Sequence, residues 1–87
     1  MRKYEVLYIL RPDLEQEAVQ SAIEKFEGII KNGGEITKSE VMGKRRLAYE
    51  IKKFREGIYV VVNFNASSDV VKELDRVLRI SDEVIRY

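Results

Sequence analysis

Ile58 to Asn65 reads IYVVVNFN, and its apolar residues fall on both parities of an extended chain. Ile58, Val60, Val62 and Phe64 make one face, Tyr59 and Val61 the other. A strand apolar on both sides belongs in the interior of a sheet, flanked by other strands. Tyr4 to Leu10 (YEVLYIL) has the same property, with Tyr4, Val6, Tyr8 and Leu10 opposed to Leu7 and Ile9. These two segments are predicted as the central pair of one sheet.

Working outward, Leu14, Ala18, Ala22, Phe26 and Ile29 or Ile30 recur at helical spacing, with Val19 and Ile23 beside them. Asp13 is the predicted cap of this helix and Gln16, three residues on, completes a capping box. Asn32-Gly33-Gly34 ends the helix, glycine taking the left-handed turn. Glu35 to Lys53 starts polar, anchored by Ile36 and Val41, then alternates Leu47, Tyr49 and Ile51 with Arg46, Ala48, Glu50 and Lys52. Such a basic, alternating strand suits a sheet edge, and Gly43 within it signals a bulge. Phe54 to Gly57 is the predicted turn into the next strand. Ser67 or Ser68 caps a second helix with Val70, Val71, Leu74, Val77 and Leu78 on its buried stripe, and Val84 to Tyr87 is a short last strand.

The order strand, helix, strand, strand, helix, strand, with the doubly apolar first and third strands central, gives an α+β fold. It is the ferredoxin-like split βαβ sandwich, a four-stranded antiparallel sheet with two helices on one face, and residues 1–87 are expected to form one such domain.

Composition narrows the function. The 87 residues contain no cysteine, histidine or tryptophan. Disulfide, zinc-ribbon and thiol chemistry are thereby excluded, and the side chain most used as a base near neutral pH is missing. Neither a cofactor, a metal, a catalytic group nor a small-molecule substrate is expected. Apolar runs such as Ile58 to Val62 are far short of a membrane span. A cytoplasmic location is expected.

Lys and Arg number 16 against 15 Asp and Glu, yet the charge is unevenly spread. Lys44 to Arg55 holds six cations (Lys44, Arg45, Arg46, Lys52, Lys53, Arg55) against Glu50 alone, whereas Asp13 to Glu27 holds five acids against Lys25. One basic edge on a neutral molecule is the footprint of contact with a polyanion. Paired guanidiniums at Arg45-Arg46 suit phosphate oxygens. Arg2, Lys3, Arg79 and Arg86 lie at the start of the first strand and around the last, and are expected to form a further cluster. Two helices cover one sheet face, so Leu7, Ile9, Tyr59 and Val61, joined by Ala48, are predicted to form an uncovered apolar patch that takes a protein partner. An RNA-recognition motif would place aromatic pairs on that face, and only Tyr59 is present, so base stacking on the sheet is not expected.

Three segments carry a resemblance. Met1-Arg2-Lys3-Tyr4-Glu5 with Arg11-Pro12-Asp13, then Gly43-Lys44-Arg45-Arg46-Leu47-Ala48-Tyr49-Glu50-Ile51-Lys52 with Gly57-Ile58-Tyr59, then Leu78-Arg79-Ile80-Ser81-Asp82-Glu83-Val84-Ile85-Arg86 resemble the bacterial small-subunit ribosomal protein six family in the family's order. The family commonly has proline where this chain has Glu50. The resemblance implies a non-enzymatic structural role in the ribosome, on the platform of the small subunit. It implies binding to 16S ribosomal RNA as a heterodimer with small-subunit protein eighteen. The family's RNA contacts carry over onto Arg2, Lys3 and Arg86, and with less support onto Arg79 and Lys44-Arg45-Arg46. A rival for the same topology is a regulatory domain that binds a small ligand as a homodimer. Another is an acylphosphatase-type enzyme, disfavoured because Arg11 precedes Pro12-Asp13 rather than a glycine-rich loop.

Overall fold

A computed structural model describes residues 1–87. Its elements are β1 (Arg2–Leu10), α1 (Gln16–Lys31), β2 (Gly34–Ile51), β3 (Phe54–Ala66), α2 (Ser68–Ile80) and β4 (Val84–Arg86). The strands form one antiparallel sheet in the order β2-β3-β1-β4, so the two doubly apolar strands are central, as their pattern requires. This is the ferredoxin-like arrangement. No helix is long and apolar enough to cross a membrane.

The even-numbered residues of β1 and β3 face the helices. Tyr8, Leu10, Ile58, Val60, Val62 and Phe64 pack there against Ala22, Ile23, Phe26 and Ile30 of α1 and Leu74 and Leu78 of α2. The Tyr8 and Phe26 rings meet edge to face with centroids 5.1 Å apart, a geometry aromatic quadrupoles favour. Ala18, expected on the buried stripe, is exposed, and Val19 beside it packs against the core instead.

Three local expectations are corrected. Asp13 does not cap α1: Arg11 takes its carboxylate, Nε donating to Oδ1 at 3.2 Å and Nη2 to Oδ2 at 3.0 Å. Glu15 occupies the cap position without a side-chain bond. Gly33 and Gly34 are not left-handed. They give room instead, since a Cβ on Gly33 would lie 2.7 Å from Val70 and one on Gly34 would run into the Asn65 carbonyl. The β2–β3 turn is Lys52-Lys53, not Phe54 to Gly57: Ile51 pairs with Phe54 and both lysines have positive φ, 50° and 71°. Two-residue hairpins need such angles and normally recruit asparagine and glycine, so a lysine pair leaves no turn signal to read.

The bulge at Gly43 is present, with φ +90° and a register shift between Val41 and Gly43. Further shifts fall between Ile36 and Lys38 and between Arg46 and Ile51. Each shift kinks β2 and strengthens its twist. Because β1 pairs with β3 only as far as Ile58, the hairpin from Arg45 to Gly57 runs beyond the sheet as a two-stranded arm.

One core atom is unpartnered. The Tyr8 hydroxyl is buried with no hydrogen-bond partner, and burial, with Glu27 nearby, pushes the phenol well above its ordinary range. Removing an unpaired buried hydroxyl recovers its desolvation cost, so Tyr8→Phe is expected to stabilise the fold by about 1 kcal/mol in urea unfolding. The phenol stays neutral in the fold but ionises near pH 10 when unfolded. Its contribution is therefore complete below pH 10 and lost above it, by up to about 1.4 kcal/mol per pH unit. The advantage of the phenylalanine variant should widen by that slope in alkaline unfolding; a constant difference would show that the phenol ionises as readily in the fold as in the unfolded chain, and so is reached by water.

Candidate functional site

The sheet face away from the helices is built from cross-strand rows of residues on one parity. Glu35, Asn65 and Lys3 form the first row, then Lys38, Asn63 and Glu5, then Glu40, Val61 and Leu7, then Gly43, Tyr59 and Ile9. Polar rows thus give way to an aliphatic strip toward the arm. Leu7, Ile9, Tyr59 and Val61 share this face, as their parity predicts.

The strip is not uniformly open. The arm curls back across its lower end, burying Leu47 of β2 against Ile9 of β1 and Ile85 of β4, with Ile51, Phe54 and Tyr59 around them. Those strands are not neighbours of β2 in the sheet, so only a fold-over brings Leu47 to them. Gly57 makes the approach possible, because a Cβ there would overlap the Ile9 side chain. Two further contacts fasten the arm: Arg86 Nη1 donates to the Tyr49 hydroxyl, and the Arg11 guanidinium lies 5.4 Å from the Phe54 ring centroid.

Two expectations are corrected here. Ile9 is 7% exposed and belongs to the monomer's own core rather than to a free patch. Ala48 is exposed, but its alternation with the buried Leu47 places it on the other side of the arm. In β2 the first register shift turns the even residues Lys38 and Glu40 to the open face and the second returns the odd residues Gly43 and Arg45 to it, which the local alternation could not reveal. What remains open is the pair Leu7 and Val61, with Leu7 43% exposed and Val61 and Tyr59 half-buried.

The cations divide into separate groups. Lys44, Arg45 and Arg46 are exposed on the arm, as are Lys52 and Lys53 at its tip, and no carboxylate lies within ion-pair distance of any of them. Register puts Arg45, opposite Gly57, on the open-face side and Lys44 and Arg46 on the other. Arg2, Lys3, Arg79 and Arg86 do not form the expected cluster. β4 pairs only with Ile9 and Leu10 of β1, six residues and about 20 Å from Lys3 at the rise of a strand. Arg2 and Lys3 also point to opposite faces, being adjacent in one strand. Arg79 is tied to the Tyr87 hydroxyl and to Asp75, which in that order hold its guanidinium more firmly protonated than usual. Arg86 is free of carboxylates but engaged with Tyr49. Of the expected RNA contacts, Lys44, Arg45 and Arg46 are fully available, with Lys52 and Lys53 beside them at the tip of the arm and Arg2 and Lys3 at the opposite end of the sheet.

Sequence reasoning missed Lys38, Asn63 and Asn65, which extend the open face as a polar rim. The signal was present in β3, where Tyr59, Val61, Asn63 and Asn65 are successive residues of one parity. It also passed over Tyr49, an aromatic residue inside the cationic run and 60% exposed.

Comparison with known proteins accords with this geometry. The family model described as Ribosomal protein S6 matches residues 3–87. The small ribosomal subunit protein bS6 of Carboxydothermus hydrogenoformans is 58% identical over 100% of this chain and 92% of its own length. That of Halalkalibacterium halodurans is 55% identical over 99% of this chain and 92% of its own length. The crystal structure of 30S ribosomal protein S6 from Thermotoga maritima superposes with a TM-score of 0.92 at 39% identity, covering 98% of this chain and 81% of that one. Identity of this degree along the whole length, on the same fold, means that the chain belongs to the ribosomal protein S6 family, whose members are structural proteins and not enzymes.

Proposed function

We propose that the chain is a cytoplasmic component of the small ribosomal subunit that binds 16S ribosomal RNA together with small-subunit protein eighteen and so helps assemble the platform. The observation that carries this reading is the separation of two surfaces: a narrow aliphatic strip at Leu7 and Val61, and a cationic arm on which Lys44, Arg45, Arg46, Lys52 and Lys53 have no acid partner and Arg55 alone meets Glu50. An aliphatic strip with a polar rim of Lys38, Asn63 and Asn65 suits a protein neighbour better than nucleic-acid bases. Lys44, Arg45, Arg46, Lys52 and Lys53 suit phosphates, with Arg2 and Lys3 as a second contact point; phosphate contacts orient a protein on RNA without reading its sequence. Docking of the two proteins first would set cations from both chains in one geometry, so less order is lost when the RNA arrives. The ligand-binding homodimer has no observation in its favour.

The test is a titration of the central-domain junction of 16S RNA with this chain, with protein eighteen, and with both. The pair is expected to bind at least tenfold more tightly than either protein alone. Equal affinity of this chain with and without protein eighteen would overturn the cooperative reading.

A further inference from the structure

We propose that the Tyr49 ring is a stacking platform for one unpaired RNA base, with Arg46 and Arg55 beside it to meet the flanking phosphates. The proposal rests on the reading that the arm binds RNA and adds the chemical class of what one side chain takes. Tyr49 is 60% exposed, although it lies on the parity of Leu47 and Ile51, which supply the arm's packing. Its ring face is left open beside its own buried neighbours, and its tie to the fold is the hydroxyl contact with Arg86.

The ring is also held in place. Its hydroxyl accepts a hydrogen bond from Arg86 Nη1, and the Arg86 guanidinium carbon lies 5.7 Å from the ring centroid. A stacking surface fixed before binding loses little side-chain entropy when a base arrives. Around it Arg46, Leu47, Glu50 and Arg55 complete a shallow depression. The Arg55 side chain is 87% exposed and touches Glu50 only loosely, at 3.9 Å, so its guanidinium is free to turn to a phosphate. Glu50 then becomes an acceptor for the exocyclic amino group of an adenine, guanine or cytosine, which uracil lacks. An apolar peptide would find the same ring, but six cations against one acid from Lys44 to Arg55 favour a polyanion. Stacking is worth most to a protein of this kind off the sheet, because the sheet face itself presents aliphatic residues there.

The test uses Tyr49→Leu, Tyr49→Phe and Tyr49→Trp chains with the 16S RNA junction and protein eighteen. Stacking of one base on an aromatic ring contributes a factor of roughly ten or more in affinity. Tyr49→Leu is expected to weaken binding about tenfold with the salt dependence unchanged, since no charge is lost. Tyr49→Phe should bind within about twofold of the native chain, because the ring remains. The chain contains no tryptophan, so Tyr49→Trp adds one reporter, read as the difference from the native chain. Its emission is expected to fall on RNA binding. A Tyr49→Phe loss as large as that of Tyr49→Leu would assign the role to the hydroxyl and overturn stacking. Unchanged Tyr49→Trp emission while the RNA binds would overturn stacking and leave the RNA reading intact. Failure of the native chain with protein eighteen to bind the junction would overturn both.

Discussion

Leu7→Asp is expected to abolish docking of the partner protein while the fold survives, and Ile9→Asp, two residues further along the same strand, is expected to unfold the chain. Both side chains lie on the same sheet face, and surface pattern alone treats them alike. The arm separates them. Leu7 is 43% exposed beside Val61, so an aspartate there is solvated in the free protein and its charge is stripped of water only when a partner covers it. Truncating a central interface residue commonly costs ~2–4 kcal/mol, and a buried unpaired charge adds to that, so affinity should fall more than a hundredfold. Ile9 lies under Leu47 with Ile85 alongside, where an aspartate would be desolvated within the monomer. Such a charge costs several kcal/mol against a total stability of about 5–10 kcal/mol for a small domain. Circular dichroism separates the outcomes: a native spectrum and melting midpoint for Leu7→Asp, and a collapsed transition for Ile9→Asp. A stable Ile9→Asp fold would mean that the arm does not cover this residue in solution.

The same comparison shows which features were legible in the sequence. Strand order was, because apolar residues on both parities of YEVLYIL and IYVVVNFN require two covered faces and leave only central positions for them. The Gly43 bulge was legible too, since glycine in a basic strand signals a change of register. What stayed hidden depends on contacts between distant residues. Asp13 has the chemistry of a cap, but Arg11 reaches it first with a two-point hydrogen bond. Lys52-Lys53 makes a tight turn with neither of the residues that announce one. Ala48 was misplaced because parity, counted from Leu47, says nothing about which face Leu47 is on once two register shifts lie upstream. Grouping Arg2 and Lys3 with Arg79 and Arg86 follows from the first and last strands being neighbours, but β4 meets only the far end of β1. The open strip and the basic arm were thus visible as residue types, and the arm's fold over the strip was not.

The second large effect concerns charge. Replacing Lys44, Arg45 and Arg46 together with alanine is expected to weaken RNA binding about a hundredfold at 0.1 M salt. Each lost phosphate contact to single-stranded RNA lowers the slope of log affinity against log salt by about 0.7, so three contacts lower it by about 2. The fold should be indifferent to the change, since all three side chains are exposed and none forms an ion pair. Lys72 and Arg76, exposed on α2 on the far side of the sheet, serve as the control. Their removal should leave both affinity and slope unchanged, and a matching loss would mean that RNA responds to net charge rather than to the arm.

The division of labour between strip and arm is tested most directly by the salt slope of RNA binding, measured without the partner protein for the native chain, Leu7→Asp and the triple alanine variant. The prediction is that Leu7→Asp keeps the native slope and the triple variant is flatter by about 2. Equal flattening of both, or a triple variant with the native slope, would contradict it.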